Sequence, residues 1–411
     1  MAFGRVAAVV LRPFALLGEG LAKAPWIGWA AWIVFCISIL VQTGPRRFGS
    51  TFGVYLDFAS RYWSMQPLYD ATTLDGFNYW PASLLLYVPV LKLDPTLAGM
   101  IVIAIFGALF TYACYRIVDA VMPQDARPIS AFDVTGLLLL INIPAAWFNF
   151  KYIQAQTPMT AAMLLGATAM IGRRFRPAAL WIFFAAVAKP LAVVMLLLCA
   201  ALQPRMRWWL AGGLVFGLLL PFVFVDPAYL SDQYKVWVAK LTHMANVWPN
   251  NWPFQADFQT MLDSAGIVVA PQVATGVRVV AALGTLALAS RLTGTGNRLV
   301  FPLGVLLLSG CYITLFGPRN EFTSFLVVTP TMTLLALLLF GRNLADPRGW
   351  GLIFAVMILG FAWEFHYGRW VKPLVITLTY VWMVWLTLDV RRWIEIVGGD
   401  GPAPGGGRPG R

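Results

Sequence analysis

Residues 177–202 read PAALWIFFAAVAKPLAVVMLLLCAAL, and the way this run is threaded decides the fold. An apolar helix of about 20 residues crosses a bilayer, so the run is long enough to span. Its middle, however, is Lys189-Pro190. Proline removes a backbone donor and pushes the residue before it out of the helical region, which argues for a break at that point. Arg173, Arg174 and Arg176 precede the run, and Arg205 and Arg207 follow it. A single crossing would set these two basic groups on opposite sides of the membrane. Two half-spanning helices joined at Lys189 would bring both to the cytoplasmic side, where Lys and Arg accumulate, so the charge pattern favours a broken hairpin.

Similar apolar segments recur along the chain, at 26–43, 96–115, 132–150, 157–172, 208–225, 272–290, 299–316, 321–340, 349–365 and 373–390. Residues 80–93 form a shorter one, interrupted by Pro89 and closed by Lys92 and Asp94. Of the 411 residues 59% are hydrophobic and 12% charged, against about 25% charged in a soluble domain, which excludes a conventional soluble enzyme. The expectation is an all-α polytopic membrane protein, with about 11–13 transmembrane helices in one bundle and amphipathic surface helices in its outer loops. One membrane domain is expected over 1–397. The tail 398–411, GGDGPAPGGGRPGR, has no apolar face and reads as disordered.

The net charge of +12 does not point to nucleic acid, because the basic residues lie between apolar segments rather than on one soluble face. It reports topology instead. Loops 44–80 and 226–271 lack the basic excess and are placed outside the cytoplasm, so the expected location is a multi-pass protein of the cytoplasmic membrane whose site faces the exterior. Cys36, Cys114, Cys199 and Cys311 sit inside apolar runs, and His243 and His366 are the only histidines. Neither a redox pair nor a His-based metal site follows from them, and no cofactor is expected, although Asp57, Asp70 and Asp75 could share a divalent ion. Trp26–Thr43 lacks a small-residue cleavage pattern and reads as an anchor rather than a leader.

Four stretches carry polar groups that a bilayer protein does not place idly. VYLDFASRYW (54–63) has the period of an amphipathic surface helix, and its Asp57 either serves as a base at the membrane surface or pairs with Arg61 four residues on. LYDATTLDGFNYWPASLLLYVP (68–89) sets Asn78 and Tyr79 in an aromatic cluster before Pro81. Lys189 is a charge in mid-run, costing about 2.5–3.5 kcal/mol on insertion scales, and so is a functional candidate. LFGPRNE (315–321) places Arg319 and Glu321 at a helix end, where the carboxylate could orient the guanidinium. Glu364, His366, Arg369 and Lys372 read as boundary residues. Trp237, Trp248, Trp252 and Phe254 in the second outer loop could anchor at the membrane surface or cover a site.

In order along the chain, an Asp in the first outer loop, LYD, F-x-Y-x-P, YIQAQ (152–156), RRFRPAA leading to Lys189-Pro190, and PRNE resemble glycosyltransferase family 87 of the GT-C membrane superfamily. The resemblance runs over residues 52–330. Ala155 stands where the family has Gly, Pro158 where it has Asn, and the Met65-Gln66-Pro67 turn lacks the family's Gly. The resemblance implies a GT-C bundle that moves a sugar, mannose or a related hexose or pentose, from a polyprenyl phosphate to a lipid-linked or glycan acceptor with inversion. It further implies Asp57 as base, Lys189 and Arg319 on the leaving phosphate, and Glu321, Asn78, Tyr79 and Gln156 as substrate contacts. The rival reading is a transporter or flippase of lipid-linked saccharides, which would carry charges deep in several helices and symmetry-related broken helices.

Overall fold

The computed structural model describes residues 24, 26–43, 51–73, 76–122, 130–247, 255–317, 320–321, 323–361 and 368–398. Its α-helices are α1 (Trp26–Thr43), α2 (Thr51–Trp63), α3 (Pro95–Val121), α4 (Ala131–Lys151), α5 (Gln156–Ile171), α6 (Phe175–Ala188), α7 (Val193–Leu202) and α8 (Pro204–Leu219). They continue as α9 (Pro227–Val247), α10 (Phe258–Ser264), α11 (Pro271–Arg291), α12 (Val300–Phe316), α13 (Thr329–Phe340), α14 (Pro347–Phe361), α15 (Gly368–Leu388) and α16 (Val390–Val397). Among the described residues, α3, α4, α8 with its 3-10 extension, α11 and α15 are long and apolar enough to cross a membrane, and shorter apolar helices accompany them. The chain is thus an all-α polytopic membrane protein. Arg319, Asp75, Trp248, Trp252, Phe254, Glu364, His366 and the tail beyond Gly398 lie outside the described residues.

At the centre stands α5, every residue of which is buried. It packs against α3, α6 and α12. Its Ala, Gly and Thr content lets neighbouring backbones approach where no hydrophobic effect drives helices together.

Beside α5 the run 177–202 is broken where its sequence breaks. Helix α6 ends at Ala188, Lys189 is extended (φ −149°, ψ 121°), and Pro190–Ala192 form a single 3-10 turn before α7. The two arms return to the same end of the bundle. Arg205 lies over the Phe175 ring at 5.4 Å, Arg176 over Trp209 at 4.8 Å, and the α7 thiol of Cys199 meets Met170 near the end of α5. Both arginine groups therefore share one face of the bundle, with Lys189 at the opposite turn.

The far end of the bundle collects what the arginine end lacks. Gly317, after α12, packs against Leu191 beside the Lys189 turn, and α2 lies there with Phe52, Tyr55, Ala59 and Tyr62 buried. Residues 81–90 are not a short α-helix. They form two successive 3-10 turns opened by Pro81 and interrupted before Pro89, buried at Ala82, Ser83 and Leu84, and Ser83 Oγ donates to the Val187 carbonyl at 2.7 Å. The run 321–340 likewise splits into a 3-10 turn, Ser324–Val327, and α13.

Helices α1 and α4 touch through glycine. A Cβ on Gly28 would lie 2.3 Å from the Gly136 carbonyl oxygen, in a contact with backbone that cannot swing aside. Gly28→Val should therefore push α1 off α4 and cost about 1–3 kcal/mol, as overpacking does elsewhere. Thermal unfolding of the purified variant in detergent should show a midpoint several degrees lower.

Candidate active site

A cavity of about 1120 Å3 opens at this end of the bundle, and the Lys189 turn forms one of its walls. The Lys189 side chain is 5% exposed and its Nζ lies 5.9 Å from the centre of the Tyr79 ring, within range of the ring's negative face. Pro190 explains the location, since the break it imposes turns the chain at Lys189 and sets this residue in the cavity wall.

Asn78 and Tyr79 form the adjoining wall. Their backbone is tied down from two sides. Tyr69 Oη donates to the Tyr79 carbonyl at 2.7 Å, and Trp237 Nε1 from α9 donates to the Asn78 carbonyl at 3.1 Å. The side-chain oxygen of Asn78 is buried with no partner in the protein. A buried amide oxygen of this kind costs free energy unless something else donates to it, and here it lines the cavity.

Helix α2 contributes Thr51, Val54 and Tyr55 to the lining. Gln154 Nε2 donates to Thr51 Oγ at 3.1 Å, and the Tyr55 hydroxyl lies 3.4 Å from that of Tyr79. Burial, followed by the neighbouring Tyr79 and Tyr87 and last by Glu321, pushes the Tyr55 phenol well above its usual pKa. It remains a neutral hydrogen-bonding group. Asp57 is not among the lining residues, although it lies one turn on from the lining Val54; it is 52% exposed, with its carboxylate 2.9 Å from Arg61.

Glu321 is brought in from the opposite side by a short antiparallel pairing with Gln255. Ala256 N–H donates to the Asn320 carbonyl at 2.8 Å, and Asn320 Nδ2 returns a bond to the Ala256 carbonyl at 2.7 Å. Among the described residues Glu321 is the one carboxylate that lines the cavity. Nearby Asp257 is fully buried and engaged elsewhere, capping α10 through Thr260 and accepting from Gln255 Nε2 at 2.7 Å.

The remaining wall holds a residue that the sequence reading passed over. Arg278 lies on α11 and lines the cavity. Its guanidinium donates to Gln259 Oε1 and sits 5.4 Å from the centre of the Phe258 ring, while its Nε is buried without a partner. The signal was present, because Arg278 is a lone charge inside the apolar run 272–290 just as Lys189 is inside 177–202. Both cations line the same cavity.

Of the residues singled out from sequence, the cavity gathers Lys189, Asn78, Tyr79 and Glu321. Gln156 is not among them: it is fully buried, with Nε2 donating to the Ser324 carbonyl at 3.0 Å, and Gln154, two residues earlier, takes the cavity position. Asp70 is exposed and accepts from both the backbone and the hydroxyl of Thr72, which holds its carboxyl below the usual range. Among the described residues no three His, Cys, Asp or Glu side chains converge as a metal site would need. Lys372, expected at a boundary, is instead buried on α15 with Nζ 5.4 Å from the Phe325 ring.

The rest of the lining is apolar. Leu214 and Leu218 of α8, Val193 and Val194 of α7, Leu241 of α9 and Val268 surround the cations, and Leu218, Leu241 and Val268 stay exposed, giving the cavity an apolar mouth. Chemically, the arrangement offers two cations, one carboxylate, and amide and phenol groups around one cavity with a greasy approach. No curated protein matches the chain. The profile of glycosyltransferase family 87 matches residues 77–318, more than half of the sequence, and includes the 76–80 wall from Phe77, the Lys189 turn and Arg278. By that match, and in keeping with its all-helical membrane architecture, the chain belongs to glycosyltransferase family 87.

Proposed function

We propose that this membrane glycosyltransferase takes its sugar from a polyprenyl phosphate, the sugar being mannose or a related hexose or pentose, and passes it with inversion to a hydroxyl of a lipid-linked or glycan acceptor. The observation that carries this reading is that Lys189 and Arg278 both line one cavity whose mouth is apolar. A polyprenyl-phosphate sugar is a phosphodiester with one negative charge. When the bond from the anomeric carbon to the phosphate oxygen breaks, the leaving phosphate gains a second charge. Cations fixed in a water-poor site stabilise that developing charge more than they stabilise the bound donor, and this difference is what accelerates the reaction. The apolar mouth suits the isoprenoid chain. Asn78, with its unmatched amide oxygen, and Tyr79 suit the hydroxyls of a sugar.

Basic residues gather at the end opposite the cavity, so the site is assigned to the exterior of the cytoplasmic membrane. Cysteines placed at the exposed Ser64 and Ser264, in a chain lacking the four native ones, should react with an impermeant thiol reagent in intact cells. Labelling only after the membrane is opened would reverse the orientation.

Each cation should contribute a charged hydrogen bond of about 1.5–3 kcal/mol to the phosphate. Lys189→Met and Arg278→Gln should each raise the dissociation constant for a polyprenyl phosphate about tenfold or more. The double variant should be non-additive if both cations touch one phosphate. Unchanged affinity in both single variants, on preparations whose unfolding midpoints match the parent, would remove the phosphate from this cavity. Transfer of labelled sugar from polyprenyl-phosphate mannose, glucose or arabinose into lipid or glycan extracts separates the enzyme from a flippase, which moves such lipids without consuming them.

A further inference from the structure

We infer that the arginine end of the bundle binds an anionic phospholipid, its phosphate seated among the guanidinium groups where α6 and α8 begin and an acyl chain lying along α8. This site stands at the end opposite the cavity and is independent of what the cavity binds.

Five arginines meet there from two stretches of chain. Arg173 and Arg174 precede α6, Arg176 lies in its first turn, and Arg205 and Arg207 lie in the first turn of α8. A reciprocal pair of ring contacts joins the two helix starts, Arg205 over Phe175 at 5.4 Å and Arg176 over Trp209 at 4.8 Å. A guanidinium stacked by its face on a ring keeps its N–H edge for a phosphate. Arg207 is engaged with the protein, its Nε donating to the Ala200 carbonyl at 3.0 Å. No carboxylate answers this charge: the sequence has no acid between Asp133 and Asp226, and among the described residues none of the five arginines is in an ion pair.

The charge is also kept against local cost. Arg173 follows Gly172, the C-cap of α5, and has φ 55°, a left-handed conformation in which glycine is the usual residue. Arg176 and Arg205 stand at helix starts, where the macrodipole favours acids, yet neither helix has an acid in its first turn. An anion held among the arginines reverses the sign of both the mutual repulsion and the dipole effect.

The apolar surroundings select the kind of anion. Trp208 is 81% exposed beside the cations, and the exposed Val215 and Leu219 follow it at helical spacing along α8, with the exposed Gly212 between them. On α6, Leu180 is exposed one turn beyond Arg176. The cations thus stand at one end of an apolar stripe about 16 Å long on a helix long and apolar enough to cross the membrane. A free phosphate ion would use the cations and leave the stripe unused, whereas a phospholipid uses both.

Phosphatidylglycerol titrated into the purified full-length protein in detergent should raise its unfolding midpoint saturably, and phosphatidylcholine with the same acyl chains should not. Arg173→Gly removes one cation and relaxes the backbone, so it should weaken the apparent affinity for phosphatidylglycerol about fivefold without lowering the midpoint in lipid-free detergent. The double variant Arg176→Gln, Arg205→Gln should weaken it about twentyfold or more. Arg291 is exposed and lies at the end of α11 away from the cavity-lining Pro271. Arg291→Gln therefore controls for positive charge at this end of the bundle in general, and it should change the affinity by less than about twofold. Equal weakening by Arg291→Gln, equal affinity of the parent protein for phosphatidylglycerol and phosphatidylcholine, a midpoint raised as much by inorganic phosphate as by phosphatidylglycerol, or unchanged affinity in the Arg173→Gly protein would each overturn the site. If the double variant does not fold, Arg173→Gly and Arg174→Gln decide the question, since neither removes one of the two ring contacts.

Discussion

The rest of the site depends on one backbone constraint, the refusal of Lys189-Pro190 to continue a helix. Pro190 has no N–H to give and crowds the residue before it, so Lys189 becomes extended and the chain turns back after a half-span. Three consequences follow from that turn. The arginines on either side of the run fall on one face of the bundle. A charged side chain enters the cavity wall at the opposite turn. The backbone at the turn also frees the Val187 carbonyl, which accepts from Ser83 and ties the hairpin to the 76–90 segment. An uninterrupted helix across 177–202 would satisfy its own carbonyls and have nothing to offer that segment.

Around the turn, each wall of the cavity is held by hydrogen bonds from neighbouring segments. The 76–80 wall is fixed through its carbonyls by Tyr69 and Trp237, leaving the Asn78 amide available. Glu321 is fixed through its backbone by Gln255, and Arg278 through Gln259. Such support sets the polar groups in place, for Asn78 and Glu321 through their backbone and for Arg278 through one of its own donors, and it makes a site rigid before a ligand arrives.

What the sequence reveals and what it hides divide along physical lines. Hydropathy and charge are summed over many residues, so the apolar spans and the hairpin at Lys189 are legible; α1 occupies 26–43 as its composition suggests. Single-residue orientation is not summed over anything. Helix α2 carries aromatics around much of its circumference, so its period gives no way to tell that Thr51 and Tyr55 face the cavity while Asp57 faces Arg61. Gln154 and Gln156 differ only by where α5 begins, and that boundary puts one in the cavity and the other in the core. Arg278 was legible by the same rule that singles out Lys189, but the runs differ. Lys189 is accompanied by a proline that disrupts its run, whereas Arg278 sits in an unbroken helix near an outer loop, where a snorkelling anchor is the commoner role.

The energetics of the two cations tie these points together. A charge carried into a span costs about 2.5–3.5 kcal/mol on insertion scales, and more where neither water nor a partner reaches it. Lys189 recovers part of this from the Tyr79 ring and Arg278 from Gln259 and the Phe258 ring. Among the described residues neither cation forms an ion pair with a carboxylate, although the buried Asp257 lies within electrostatic reach of Arg278, whose buried Nε has no partner. An uncompensated buried charge is among the most costly features a fold can keep. The cavity-lining carboxylate, Glu321, is tied by its backbone to Gln255, four residues before the Gln259 that accepts from Arg278. On the proposed reading, a phosphate held by Lys189 and Arg278 would supply negative charge that offsets part of this cost.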